Sequence, residues 1–139
     1  MKLRCIANNG QALPDSYLES GSGYSSNTEF PLTIGKEYVV YALAIRDNQV
    51  WYYISDDDDL YYPVHQPAPL FEVVDNALSK YWKYAFTPEH LDHLALFGFY
   101  EWISDPYFYD RLTDVREREV SILRRMKSLM DLEAVSVAQ

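Results

Sequence analysis

The residues most suited to chemistry in this 139-residue chain are four consecutive aspartates at 56–59 and two histidines, His90 and His93. Aspartates bind Ca²⁺ when their oxygens converge, which normally needs alternating ligands, a glycine turn and a distant glutamate. This run has neither that glycine nor that glutamate, and adjacent side chains of an extended segment point to opposite faces. We therefore predict no metal at the aspartates. We interpret them as a hairpin tip, with an acidic recognition loop as the alternative.

The two histidines are three residues apart, so a helix would place both imidazoles on one face, as at the start of a Zn²⁺ site. The one other histidine is His65, and nothing in the sequence brings it near. We predict no metal and no other cofactor. A metal-dependent hydrolase that uses His90 and His93 stays open as an alternative function.

Signals for nucleophilic catalysis are missing. The chain has no Gly-x-Ser-x-Gly elbow, and "GSGYSSN" at 21–27 lacks the lysine of a phosphate-binding loop. Cys5 is the single cysteine, so no intrachain disulfide can form, and we predict a buried, inert thiol in a strand. The sequence predicts no catalytic residue and favours a protein that is not an enzyme.

The charge balance limits the partners. The formal net charge is −9 and the isoelectric point is about 4.6, which argues against nucleic acids and anionic membranes and favours a basic protein. The N-terminus "MKLRCIANNGQALP" has no long apolar stretch, and no run of about 18 apolar residues can span a bilayer. We predict a cytoplasmic protein.

Aromatic residues concentrate in two acidic segments, 51–63 and 97–110. Tyrosine and tryptophan anchor many protein interfaces, although part of the second segment must be core because so many aromatics cannot all be exposed. The candidate partner-binding residues are Tyr52, Tyr53, Asp56, Asp57, Asp58, Asp59, Tyr61, Tyr62, Trp102, Tyr107 and Tyr109.

Residues 1–86 favour β-structure, and residues 8–29 are predicted to be a long, mobile polar connection. "RDNQ" at 46–49 predicts a hairpin turn, and the two prolines of "VHQPAP" at 64–69 predict a break. Several short strands at close spacing indicate a small barrel or a bent antiparallel sheet. The predicted strands are "KLRCIA", Tyr38–Ile45, "VWYYIS", "LYYP", "LFEVVD" and "SKYWKYAF".

Residues 87–139 favour helices. A threonine followed by proline predicts a helix from Thr87 to about Leu96, and Asp105 before a proline predicts a second start. Asp114 and Glu117 are spaced as a capping box for the third helix, whose apolar face is formed by Ile122, Met126, Leu129 and Met130. We predict one α+β domain over residues 1–139, with these helices packed on the β part.

Part of the β half resembles a known group. "LTIGKEYVVYAL", then the acidic turn "SDDDD", then "YYP" and "LFEVVD", are similar to small bacterial SH3-like barrel proteins of unknown function. The resemblance covers residues 32–75 and implies an SH3-like fold, with no implied activity. The 8–29 segment and everything after Asp75 depart from that pattern.

Size, acidity and tyrosine content together favour a non-catalytic acidic binding protein that inhibits a basic partner. In composition the chain resembles bacterial immunity proteins that neutralise nuclease toxins, whose carboxylates and tyrosines occupy the toxin's phosphate-binding surface. A structural module that forms a homodimer through its aromatic surface is the second hypothesis. The hydrolase described above is the third.

Overall fold

The computed structural model describes residues 1–19, 23–87 and 94–137. Within them, eight strands form two open antiparallel sheets, followed by helices that pack on them, so the predicted α+β class is confirmed. The strands are β1 (Lys2–Cys5), β2 (Glu37–Val39), β3 (Ala42–Arg46), β4 (Gln49–Ile54), β5 (Val64–Pro67), β6 (Phe71–Asp75), β7 (Trp82–Thr87) and β8 (Leu94–Phe99). The helices are α1 (Asp15–Leu18), α2 (Tyr100–Ile103), α3 (Phe108–Thr113) and α4 (Glu117–Val137), with 3-10 turns at Gly10–Ala12 and Ala68–Leu70.

The strands are ordered β2-β1-β6 in one sheet and β5-β4-β3-β8-β7 in the other, and over the described residues they do not close into a barrel. The prediction of a single strand over Tyr38–Ile45 is wrong. This segment is divided between β2 and β3, which belong to different sheets. At the division, Val40 is buried in one hydrophobic cluster and Tyr41 in the other. The Tyr41 hydroxyl donates to Asp131 of α4 at 2.6 Å. The chain therefore changes sheets where the long helix docks.

The turn between β3 and β4 confirms the predicted hairpin. Asp47 and Asn48 have φ angles of 51° and 65°, as in the type I′ turn that matches the twist of two antiparallel strands. Asparagine and aspartate tolerate this left-handed conformation better than other residues that carry a Cβ. The pairing then continues from Arg46 opposite Gln49 to Ala42 opposite Tyr53.

Two predictions around the prolines are wrong. Residues 60–63 form no strand, because Tyr61 and Tyr62 leave the sheet and pack towards α3. The "VHQP" segment is strand β5 instead of a break. Proline is tolerated there because β5 is the edge of its sheet, where one side of the backbone needs no hydrogen-bond donor.

The helix predicted from Thr87 to Leu96 is also wrong at both of its described ends. Thr87 ends β7, and Leu94 begins β8, which pairs with both β3 and β7. Residues 88–93, which include His90 and His93, lie outside the described residues. The local cap pattern at Thr87 is outweighed by strand pairing on both sides of β8, because propensity is weaker than tertiary packing.

Residues 8–29, predicted to be a long, mobile polar connection, contain secondary structure in their described parts. A 3-10 turn and α1 lie in this segment, and a bridge joins Asn9 to Glu29. Leu13 and Tyr17 are buried in the first cluster. Cys5 is buried beside them in β1, as predicted, and burial raises the pKa of its thiol.

The turn between α3 and α4 differs from the predicted capping box. Asp114 is the C-cap of α3, one residue after its end, and does not cap α4, which begins at Glu117. The Arg116 N–H donates to the Arg111 carbonyl, and the Val115 N–H donates to the Leu112 carbonyl. This is a Schellman motif, in which glycine normally holds the left-handed position that Val115 holds here.

We expect Val115→Gly to raise the free energy of unfolding by about 1 kcal/mol, measured by urea denaturation. The φ angle of Val115 is 60°, a strained conformation for a β-branched side chain. The side chain is 66% exposed, so its removal costs little packing. Val115→Ala is the matched control, because it shortens the side chain but keeps the Cβ that causes the strain. A glycine variant less stable than the natural protein would contradict the prediction.

The apolar face predicted for the last helix is confirmed. Met126 and Met130 of α4 are buried, together with Leu123, and Ile122 and Leu129 are half-buried. The predicted start at Asp105 is near the true one: its carboxylate accepts from the Tyr107 N–H at 3.0 Å, and α3 begins at Phe108. Across the described ranges, none of the helices is both long and apolar enough to span a membrane.

Candidate functional site

Asp56, the first aspartate of the run, is a structural residue. It lies in the connection between β4 and β5 and is only 6% exposed, contrary to a solvated tip. One carboxylate oxygen accepts from Gln66 Nε2 at 2.9 Å, and the other accepts from the Asp58 N–H at 3.1 Å. Burial raises the pKa of this carboxyl. Asp56 therefore holds the turn that presents the next three aspartates.

Asp57 ties this turn to the segment that leads into β2. Its carboxylate accepts from Lys36 Nζ at 2.8 Å, from Thr33 Oγ1 at 2.6 Å and from the Tyr38 hydroxyl at 2.8 Å. The hydrogen bond from Lys36 is the main reason why the pKa of Asp57 is lowered. With its negative charge neutralised inside the chain, Asp57 is poorly placed to attract a partner.

Asp58 and Asp59 are exposed, as Asp57 is, but they lack the contacts that Asp57 makes. In the described part of the chain, neither carboxylate accepts a hydrogen bond or forms an ion pair. Asp59 has a φ angle of 51°, so it completes the turn in the left-handed conformation. The aspartate run is thus divided: two carboxylates organise the connection and two face solvent.

The structure brings the two aromatic segments together. The Tyr53 ring lies 5.0 Å from Trp102 and 5.4 Å from Tyr109, and Trp102 and Tyr109 stack at 5.4 Å. The Tyr109 hydroxyl donates to the Pro63 carbonyl at 2.7 Å. Tyr62 packs on Tyr109 at 6.1 Å. These side chains join the β4–β5 connection to α2 and α3, which is a packing role.

Most of the predicted aromatic anchors are therefore buried or half-buried. Trp102 is 4% exposed, and Tyr52 packs beside Phe71 in the first cluster. The two predicted aromatics that stay exposed are Tyr61, at 40%, and Tyr107, at 62%. The Tyr61 hydroxyl donates to the carbonyls of Leu112 and Thr113 at 3.0 and 2.9 Å. It adds a side-chain donor to carbonyls in the last turn of α3 and fixes the end of the aspartate connection against that helix.

The outer face of α3 adds acids that were not among the candidate partner-binding residues from the sequence. Tyr107, Asp110 and Asp114 are spaced at i, i+3 and i+7, so they share one side of the helix, and all three are exposed. Phe108 and Leu112, on the opposite side, are fully buried. This alternation of buried apolar and exposed acidic positions was the signal that could have identified the face.

The basic residues nearby are already engaged. Arg111 pairs with Asp105 and with the buried Glu119, and Arg116 pairs with Asp114 at 3.2 Å. Burial works against ionisation of Glu119, but the hydrogen bonds from Arg118 and Arg111 lower its pKa. Asp110 has no ion-pair partner among the described residues. An open depression on α3 is lined by Asp110, Arg111, Thr113 and Asp114.

We call the resulting region the acidic surface. Its exposed acids come from the β4–β5 connection and from the outer face of α3, and Tyr61 links the two. Its members are Asp58, Asp59, Tyr61, Tyr107, Asp110 and Asp114.

The described residues contain no group of three histidine, cysteine, aspartate or glutamate side chains that could hold a metal ion. His65 lies on β5 between the rings of Trp51 and Tyr53; the residue is partly exposed, and partial desolvation lowers its pKa. His90 and His93 are outside the described residues, so their pairing stays a prediction. No family model, curated protein or solved structure matches the chain.

Proposed function

We propose that this chain is a non-catalytic binding protein whose acidic surface captures a basic segment of a partner protein, as an inhibitor of immunity type would. The observation that supports this most is the contact of Tyr61, which follows Asp58 and Asp59 in the chain, with the end of α3, which carries the exposed Asp110 and Asp114. Three of these acids, Asp58, Asp59 and Asp110, have no ion pair in the described part of the chain. The proposed location is the cytoplasm.

The chemistry of the surface suits lysine and arginine side chains. The net charge of −9 attracts a basic partner over a distance and speeds encounter, and exposed charges at the rim act mainly on the association rate. Tyr61 and Tyr107 offer ring faces to a cation, a contact worth about 0.5–1 kcal/mol at exposed sites. The depression beside Asp110 gives one such side chain a place to enter.

Binding is tested by affinity capture from the lysate of the source organism, followed by mass spectrometry and by titration with the purified partner. We compare the natural protein with the triple variant Asp58→Asn, Asp59→Asn, Asp110→Asn. The matched control removes three exposed charges elsewhere, through Asp15→Asn, Asp47→Asn and Glu72→Gln. We expect a basic protein to bind the natural chain and the control, and to bind the acidic-surface variant at least about tenfold more weakly at low salt.

The outcome is decisive in both directions. Equal affinity for the two triple variants would show that the acidic surface does not recognise the partner. Capture of no basic protein by the natural chain would count against the proposed function as a whole. Weakening of the natural interaction by added salt is expected as well, because exposed charges are screened beyond about 8–10 Å at physiological ionic strength.

The alternative hypotheses are tested separately. The hydrolase depends on His90 and His93, and a zinc-binding titration of the natural chain against His90→Ala would support or remove it. The SH3-like resemblance over residues 32–75 stays a proposal about the fold. The assembly hypothesis is taken up below, where a different surface supports it.

A further inference from the structure

The five-stranded sheet leaves one of its edges open. Strand β7 is last in the order β5-β4-β3-β8-β7, and no strand among the described residues pairs with its outer side. The other edge, β5, ends at Pro67 and follows Pro63. Proline has no N–H to offer a further strand, so β7 is the edge at which this sheet can grow.

One face of the sheet at this edge is apolar and exposed. Tyr84 and Phe86 of β7 are 58% and 50% exposed, although aromatic side chains are usually covered. Tyr84 is opposite Phe97 and Phe86 is opposite Ala95 in the β7–β8 register. The Tyr84 and Phe97 rings are 4.9 Å apart. In the next strand, Ile45 of β3 continues the row and is also exposed.

The charge distribution along this edge indicates which partner can pair with β7. Residues 76–88 contain no aspartate or glutamate, and the only charged residue in β7 is Lys83. In a chain of net charge −9, two copies repel least where such a stretch meets its own copy. The opposite is true of the acidic surface, where two copies would bring carboxylates together.

We infer that β7 is the interface of a homodimer, in which it pairs antiparallel with β7 of a second copy. A two-fold axis at Ala85 places Tyr84 opposite Phe86 of the partner copy and keeps both on the same face of a ten-stranded sheet. Lys83 then lies opposite position 87 of the second copy, so the two lysines do not face each other. Because the contact uses the same edge of both chains, it closes and cannot propagate into a fibre.

The first test measures mass by sedimentation over a wide range of protein concentration. We expect a monomer–dimer equilibrium for the natural chain, and we expect Phe86→Glu to raise the dimer dissociation constant by about thirtyfold or more, as for a central aromatic anchor. Tyr107→Glu is the matched control, since it places the same charge on an aromatic of the acidic surface that is exposed to a similar degree, 62% against 50% for Phe86. A natural chain that is monomeric at every concentration would overturn the inference.

The second test fixes the register and does not depend on how Phe86→Glu folds. In Ala85→Cys, the two cysteines of a dimer would have Cα atoms about 4.5–5.5 Å apart, within the range that a disulfide bridges. We expect mild oxidation to crosslink this variant to a covalent dimer, and we expect Tyr107→Cys to form no covalent dimer. Cys5 is buried and does not compete. Failure of Ala85→Cys to crosslink would overturn the β7 pairing. Neither crosslinking nor its failure tests the proposed role of the acidic surface.

Discussion

Replacing Trp102 by alanine is expected to lower the free energy of unfolding by about 3–5 kcal/mol, the usual cost of truncating a buried tryptophan. The indole is 4% exposed and touches aromatic rings on several elements. It stacks on Tyr109, meets Tyr53 edge-on at 5.0 Å and lies 5.7 Å from Phe99. Its removal would leave a cavity where α2, α3 and the sheet meet. Chemical denaturation monitored by circular dichroism measures the change.

Tyr107→Ala is the matched control for this prediction. Both residues come from the aromatic segment 97–110 and both were candidate partner-binding residues from the sequence, but Tyr107 is 62% exposed. Its substitution is expected to change the free energy of unfolding by no more than about 0.5 kcal/mol. If Trp102→Ala were as stable as Tyr107→Ala, the indole would not belong to the core.

Asp56→Ala is expected to have the second largest effect on stability, a loss of about 2–3 kcal/mol. Its carboxylate accepts two hydrogen bonds, from Gln66 Nε2 and from the Asp58 N–H. Gln66 is buried, and its Oε1 already has no hydrogen-bond partner among the described residues. Without Asp56, the whole Gln66 amide would lie unsatisfied beneath the turn, which costs more than the bond itself. Urea denaturation at neutral pH measures the loss.

Two further variants separate the possible causes of the stability loss in Asp56→Ala. Asp56→Asn is expected to cost less than Asp56→Ala, because an amide keeps an acceptor and removes a carboxylate whose charged form is disfavoured by burial. Asp58→Ala, two residues along the same turn, is expected to change stability by no more than about 0.5 kcal/mol, because its side chain is exposed. Equal losses for Asp56→Ala and Asp58→Ala would mean that Asp56 does not organise the turn.

The division of the aspartate run links stability to the proposed function. Asp56 and Asp57 are hydrogen-bonded within the chain, so they position the turn. Asp58 and Asp59, at its tip, can bring charge to a partner without weakening the fold. Neutralising all four aspartates at once would not distinguish their structural role from their binding role, because a disrupted turn would also abolish binding. The capture experiment therefore changes only exposed acids.

Local sequence signals were sufficient where the structure depends on neighbouring residues. The Asp47–Asn48 hairpin follows from the conformations that these residues tolerate, and the buried stripe of α4 follows from the 3.6-residue helical period. The acidity that favours a basic partner is likewise a property of composition. For these features the chain needs no distant contact to specify the outcome.

The tertiary structure decided what depends on residues far apart in the chain. The cap pattern that precedes β8 predicts a helix. The backbone of β8 instead pairs with β3, about fifty residues earlier in the chain. The exposure of each aspartate and aromatic depends on which side chains contact it: Gln66 donates to the buried Asp56, and Tyr53 packs on the buried Trp102. The joining of Tyr61 to the end of α3 is equally non-local. The sequence by itself thus determined the class of the fold and the sign of the surface charge. The three-dimensional packing decided which carboxylates and rings face a partner, because burial is set by contacts that no local pattern encodes.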